Sequence, residues 1–414
     1  MTKGSENQTG APALAPVSRP FLGLFALAHL GAFIAFIPML NLLLPLKAEL
    51  IDPAGKAVLL SQVMLWGAVA AAVTNLAAGA LSDATRGPLG RRRPWIVVGA
   101  LAVAAAHGVV FAAATPQQLL VAVLVFQAAV NVMFGPLNAV LPDVVPGRQK
   151  GLAAALAGLA LPGAGLFTAG ILAVALARLD LRFLAVAVAV PLLVLPFALR
   201  LREPKRPRAP ARIGLPSLAA LADRDFLMAF ASRLLVQVTI TFNVLYLLFY
   251  LQETARLGPF ADLRPEAVLG GLLGLSTAVS LAAGFLGGVL SDRLRRRRLF
   301  VIAGGLAMAG GAALLAAAPS WPGPLFAQLL FGLGLGLYST VDTALVAEVL
   351  PDRQAAGRDL GLMNLAITAP QVLAPLLGLG LLSLSGGDFR WIYAASALFA
   401  LFGAVAVTGI RRVR

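Results

Sequence analysis

Apolar residues run along the chain in twelve long blocks, broken by short stretches rich in Pro, Gly, Arg and Asp. The blocks cover about 20–46, 57–82, 95–114, 117–141, 151–178, 182–200, 225–252, 266–291, 299–318, 322–350, 359–384 and 388–410. A helix rising about 1.5 Å per residue needs about 20 apolar residues to cross a hydrocarbon core. Each block therefore predicts one spanning helix. Nowhere does apolar and polar character alternate residue by residue over about ten positions, as the strands of a membrane barrel require. The fold expected is all-α and integral to the membrane, with twelve transmembrane helices. The longest polar interruption, RLREPKRPRAPARIGLPSLAALADR, follows the sixth block and is dense in proline and arginine. It reads as a linker at 201–224 between two six-helix bundles, 20–200 and 225–410. Residues 1–19 and 411–414 are left as tails.

Composition agrees with that pattern. The chain is 59% hydrophobic and 12% charged, whereas soluble domains are about a quarter charged. Its net charge of +15 would suggest nucleic acid if the basic residues shared a face. They lie instead in short loops between apolar blocks, so no nucleic-acid partner is expected. With both termini on one side, twenty-five of the 33 lysines and arginines fall in segments on that side. Only Lys47, Lys56, Arg178, Arg182, Arg256, Arg264 and Arg390 fall in loops on the other, and Arg233 lies within a block. Positive loops stay in the cytosol. The reading is a multi-pass protein of the cell inner (plasma) membrane with both termini cytosolic. The start, MTKGSENQTGAPALAPVS, lacks the charged-then-apolar order of a signal peptide and reads as a disordered cytosolic tail. The absence of cysteine and the presence of only two histidines, His29 and His107, argue against disulfides, thiolate chemistry and a transition-metal site. No nucleophile–base pattern or phosphate loop occurs, so neither an enzyme nor a bound cofactor is expected, and a monomer is.

The halves repeat. GALSD at 79–83 returns as GVLSD at 288–292, each before an arginine cluster and a new apolar block. DVVPGRQ at 143–149 returns as EVLPDRQ at 348–354. The offsets, 209 and 205 residues, are nearly equal, which implies parallel halves related by an axis along the membrane normal. At these residues the sequence resembles the major facilitator superfamily, whose loop between spans 2 and 3 has the form G-x-L-x-D-x-x-x-x-x-x-G-R-[RK]. Here it reads Gly79-Ala80-Leu81-Ser82-Asp83, then Arg86, then Gly90-Arg91-Arg92. The continuation Arg93-Pro94-Trp95, with VLPDVVPGRQKG at 140–151, is similar to glycoside–pentoside–hexuronide cation symporters and sucrose–proton symporters. Pigment-assembly members of the superfamily share such an arginine-rich loop. The resemblance implies two pseudo-symmetric bundles, with spans 1, 4, 7 and 10 around a central cavity. It also implies span 2 beside span 11, and span 8 beside span 5.

An aspartate at the C-terminal end of a helix meets the negative pole of the helix dipole. It gains from nearby arginines or from the N-terminus of an adjacent helix. Asp83, at the end of span 2, is therefore expected to reach the start of span 11 near Leu360–Gly361. Asp292, at the end of span 8, should reach the start of span 5 near Gly151–Leu152. With Arg86, Gly90 and Arg91 these residues would form a latch that joins the halves on the cytosolic side. The plainer reading of such clusters is topology and contact with anionic lipid, and Arg295–Arg298 are assigned mostly to it.

Ionisable groups inside spans are costly and face a cavity or a partner. Asp342 in span 10 and Arg233 in span 7 lie at matched depth, each eight residues from the cytosolic end of its block, about 12 Å along a helix. An ion pair between them is expected. Two roles stay open: a fixed tie between helices, or a site where protonation of Asp342 releases Arg233 and couples a proton to movement. His29 in span 1 belongs to the residue type whose titration range suits proton transfer, but a neutral, hydrogen-bonded ring is the favoured reading. The remaining polar groups are largely amides. Asn41, Asn131, Asn138, Gln237 and Asn243, with Phe134, Tyr246 and Tyr338, form the expected lining of the cavity. Uncharged donors and stacking rings suit a neutral sugar. The reading is a proton-coupled (or sodium-coupled) sugar symporter working by alternating access in the bilayer. The alternatives are a proton-antiport exporter of hydrophobic or cationic compounds, and a pigment or cofactor assembly factor without transport.

Overall fold

The computed structural model describes residues 16–203, 218–294, 296–349 and 356–411. Its twelve spans are Arg19–Ile51, Lys56–Ala84, Arg93–Ala112, Pro116–Val144, Gly147–Ala175, Leu179–Arg200, Arg224–Glu253, Pro265–Ser291, Arg297–Ala317, Gly323–Asp342, Leu362–Ser385 and Arg390–Thr408. They are numbered span 1 to span 12. The helix of span 10 continues to Val349, and that of span 11 begins at Ala356. Both ends of the described chain, and the segment between spans 6 and 7, lie at one end of the molecule, here the terminal face. The opposite end is the far face.

Local chemistry sets the helix ends. Ser18, Thr115 and Asp223 accept hydrogen bonds from the first free backbone N–H groups of spans 1, 4 and 7. Gly386, at φ 65°, closes span 11 in the left-handed conformation that glycine adopts without strain. Two spans are irregular. Pro38 lacks an N–H, and a π-helical segment, Met39–Leu43, follows it in span 1. Span 5 is offset at Leu159 and ends in a π-helical stretch, Phe167–Ala175. Such segments free backbone groups, and at membrane depth they persist only where other protein or a cavity covers them.

The two bundles repeat in side-chain detail. Arg92 pairs with Asp143 and Arg297 with Glu348, and both residues of the second pair stand 205 positions after those of the first. A Cβ at Gly99 would strike the backbone of Met133, and one at Gly304 the backbone of Tyr338. These two are again 205 apart. Glycine at those points lets spans 3 and 4, and spans 9 and 10, approach to backbone contact.

The distribution of the core shows how the halves meet. One buried cluster runs from Leu22 to Leu201 and continues into the far ends of the second bundle, through Phe242, Tyr246, Tyr250, Leu269, Leu315, Ile392 and Tyr393. A separate cluster, including Phe226, Met308, Val341, Met363 and Val407, fills the terminal part of the second bundle alone. Among the described residues the apolar core is thus continuous between halves at the far face and divided at the terminal face. On the far side one close approach joins the bundles and another packs the second bundle against itself. A Cβ on Gly270 of span 8 would meet Ala169 and Ala173 of span 5, and one on Gly378 of span 11 would strike the Tyr246 ring of span 7. Span 2 also packs along span 11 there.

Candidate functional site

Span 7 carries Arg233 and the span 10 helix carries Asp342. The structure brings them together: Arg233 Nε donates to Asp342 Oδ2 at 2.8 Å, and Nη2 lies 2.7 Å from the same oxygen. Both side chains are nearly buried, 12% and 8% exposed. Beside them sit Ser232 and Tyr338, both buried. The Tyr338 hydroxyl lies against Asp342 and Ser232 without reaching hydrogen-bond geometry. This leaves the Tyr338 hydroxyl next to the carboxylate, able to take up its contacts if Arg233 moved.

Several expected lining groups serve other spans. Asn131 Nδ2 donates to Gln127 O at 2.8 Å, and its Oδ1 accepts from Asn75 Nδ2 at 3.0 Å, so it ties span 4 to span 2. Asn243 Oδ1 accepts from Gln328 Nε2 at 2.9 Å, tying span 7 to span 10. Tyr246 is fully buried and shares a 2.6 Å hydrogen bond with Ser61 across the two halves. Phe134 packs edge-on against Phe33, ring centroids 5.2 Å apart. Asn138 is exposed and reaches His29, whose Nδ1 also meets Phe25 O at 3.0 Å. Asn41 lies in the π-helical segment with a buried, unpartnered Oδ1. Gln237 is half-buried on span 7. Of the expected lining amides, Asn131 and Asn243 are thus spent on ties between spans, whereas Asn41 Oδ1 is buried without a partner.

At the terminal face, Asp83 Oδ1 lies 2.6 Å from Arg92 Nη2 and 4.0 Å from Arg91 Nη1. Asp143 Oδ2 joins the same arginines, 2.6 Å from Arg91 Nη2 and 3.1 Å from Arg92 Nη2. The two loops that carry the symporter resemblance thus form one charge cluster. Glu203 completes it by accepting from the backbone N–H groups of Arg91, Arg92 and Arg93 at 3.0, 2.7 and 3.0 Å. Gly90, at φ 90°, makes the turn that exposes those groups. Arg86 is exposed. The side chains of Asp292, Leu360 and Gly361 lie outside the described residues. Among the described residues, Asp83, Arg91, Arg92 and Asp143 pair within the first bundle, and Arg297 pairs with Glu348 within the second.

The far face holds a cluster that sequence reading counted only as loop charge. Lys56, the first residue of span 2, lies 2.9 Å from Glu49 Oε1 and 2.6 Å from Glu253 Oε1, and donates to Gln252 Oε1 at 2.9 Å. Gln252 Nε2 returns a 2.8 Å bond to Glu49 Oε2. Glu49 and Lys56 belong to the first bundle, Gln252 and Glu253 to the second. A signal did exist: opposite charges at the far ends of spans 1, 2 and 7. Arg182, expected in a loop, is instead buried in the first turn of span 6, held by its Nε to Leu176 O at 2.9 Å.

Among known proteins, an uncharacterised MFS-type transporter of Mycobacterium tuberculosis is 34% identical over 145 residues, 32% of this chain and 33% of that protein. The Multidrug resistance protein MdtH of Shigella dysenteriae is 34% identical over 140 residues, 33% of each. The chain thus spans about a third of the length of the curated relatives it matches. Among solved structures, a peptide transporter POT superposes with a TM-score of 0.75 over 95% of this chain and 96% of that one, at 12% identity. The nucleoside transporter NupG does so at 0.69, over 94% and 98%, at 13% identity. At such identities the likeness is one of fold. The sequence profile of the Major Facilitator Superfamily matches residues 21–273 and 226–414, nearly the whole described molecule, and the chain belongs to that superfamily.

Proposed function

We propose that this protein is a secondary transporter working by alternating access, with both termini in the cytosol and the far face outside. The observation that carries this reading is the asymmetry of the seam. Lys56, Glu49, Gln252, Glu253, Ser61 and Tyr246 join the halves at the far face. At the terminal face the halves have separate apolar cores and charge clusters internal to one bundle. Such a molecule is closed outside and open to the cytosol, one of two states that the repeat makes available. Arg233–Asp342 is the coupling pair: a proton on Asp342 removes the charge that holds Arg233 and loosens span 7 from span 10.

A neutral sugar, moved by proton symport, is the solute favoured by the joined loops at Asp83 and Asp143 and by the uncharged groups Asn41, Asn138 and Gln237 together with the aromatic ring of Phe134. A second reading, proton-driven export of hydrophobic or cationic compounds, draws support from the likeness to MdtH and from the amides committed to helix ties. Proteoliposomes with an acid exterior test both. The first reading expects disaccharide to accumulate inside against its gradient. Dye efflux without sugar uptake replaces it with the second, and no gradient-dependent flux of any solute sinks both.

A further inference from the structure

We propose that the far-face seam between spans 1, 6 and 8 is a binding site for a phosphate-bearing lipid headgroup of the leaflet opposite the termini. A cavity of about 390 Å³ opens there, lined by Arg182 and Leu179 of span 6, Glu49 and Leu50 of span 1, and Arg264 and Glu266 at the start of span 8. Arg182 carries the inference. Its side chain is only 3% exposed, yet its Nη2 has no hydrogen-bond partner. The nearest carboxylate oxygen, Glu266 Oε2, is 3.9 Å away, too far for a hydrogen bond. A buried guanidinium nitrogen without an acceptor is costly, and the Arg182 side chain that carries it lines the cavity. Arg264 is also under-used: its Nη atoms make contacts of 3.5 and 3.2 Å to the carbonyls of Leu176 and Val174. Two guanidiniums converging on one space suit a tetrahedral oxyanion, which takes paired, charge-assisted N–H bonds.

The surroundings select among oxyanions. Both oxygens of Glu49 are already taken, by Lys56 and Gln252, and Lys56 is shared with Glu253, which leaves Arg182 and Arg264, with Glu266, to meet a ligand in the cavity. The rim is apolar at Leu179 and at Leu50, which is 65% exposed, so acyl chains can leave the site along the helices. All lining segments end at the far face, the depth at which headgroups lie. Both bundles contribute, so an occupied site ties the halves together on that face.

The test uses the full chain in maltoside detergent, reading its thermal unfolding midpoint. It is titrated with phosphatidylglycerol, with diacylglycerol of the same chains, and with inorganic phosphate. Phosphatidylglycerol is expected to raise the midpoint saturably and diacylglycerol to leave it unchanged. Arg182→Gln and Arg264→Gln should each weaken the apparent affinity about tenfold, the loss of one charge-assisted pair of bonds. Glu266→Gln, which removes the competing carboxylate, should tighten it, an effect that general destabilisation does not produce. Saturation by inorganic phosphate, with no further gain from lipid, assigns the site to a free anion and overturns the lipid. A lipid response equal in the parent and all three variants, or no response to either phosphate source, overturns the site.

Discussion

Arg233 and Asp342 form a pair at a depth where neither charge is stable alone. Removing one partner of a buried pair costs about 3–5 kcal/mol, because the other is left uncompensated. Asp342→Asn is therefore expected to lower the thermal midpoint, and Arg233→Gln added to it to restore most of the loss. In proteoliposomes the same Asp342→Asn protein should lose gradient-driven accumulation and keep solute exchange, as the coupling role proposed for Asp342 requires. Unchanged accumulation would remove Asp342 from coupling and leave the pair as a tie between helices. The pair was legible in the sequence because two opposite charges stood at equal depth in otherwise apolar blocks. The commitments of Asn131 to Asn75 and of Asn243 to Gln328 were not, because amides bond across helices at about 0.6–2 kcal/mol each with no spacing rule that reveals the partner.

At the level of elements, bundle geometry depends on a few glycines set against backbone. Gly304 and Gly334 face each other across spans 9 and 10: a Cβ on the first would stand 2.8 Å from Gly334 O, and one on the second 2.5 Å from Gly304 O. Gly304→Val must push these helices apart, and overpacking of a close core costs about 1–3 kcal/mol. Gly108 has open space around its Cβ direction, so Gly108→Ala should leave the thermal midpoint within error. A Gly304→Val protein as stable as its parent would mean that the seam is loose. The equivalent contact of Gly99 on Met133, 205 residues earlier, extends the sequence repeat into packing. Short motifs show the repeat. Which glycines touch backbone depends on helix rotation, which strings of Ala, Gly and Leu do not specify.

Over the whole molecule, closure of the far face rests on Lys56, which meets three acceptors from two bundles. Lys56→Gln should shift the population toward a state open at that face. The chain has no cysteine, so a single Ser61→Cys reports directly on the seam, where Ser61 is buried against Tyr246. Its reaction with a membrane-impermeant maleimide from outside is expected to rise in the Lys56→Gln background. We propose that Asp83 acts on the same equilibrium from the other end. In the state described it is held by Arg91 and Arg92, and in the opposite state it would be free to meet the start of span 11. Asp83→Asn should then lower the labelling of Ser61→Cys, and equal labelling would sink the latch.

Sequence by itself determined the twelve helices, their repeat in two halves and the matched charges of spans 7 and 10. Each follows from local chemistry: the length of an apolar run, the recurrence of a motif, the depth of an ionisable group. Only the tertiary structure decided which face is closed, which amides are spent on helix ties, and that Glu203, Lys56 and Arg182 hold structural or open positions. Those outcomes depend on how distant segments rotate and meet. Both states of an alternating transporter use one sequence with the same pattern of spans, so that pattern cannot favour one of them.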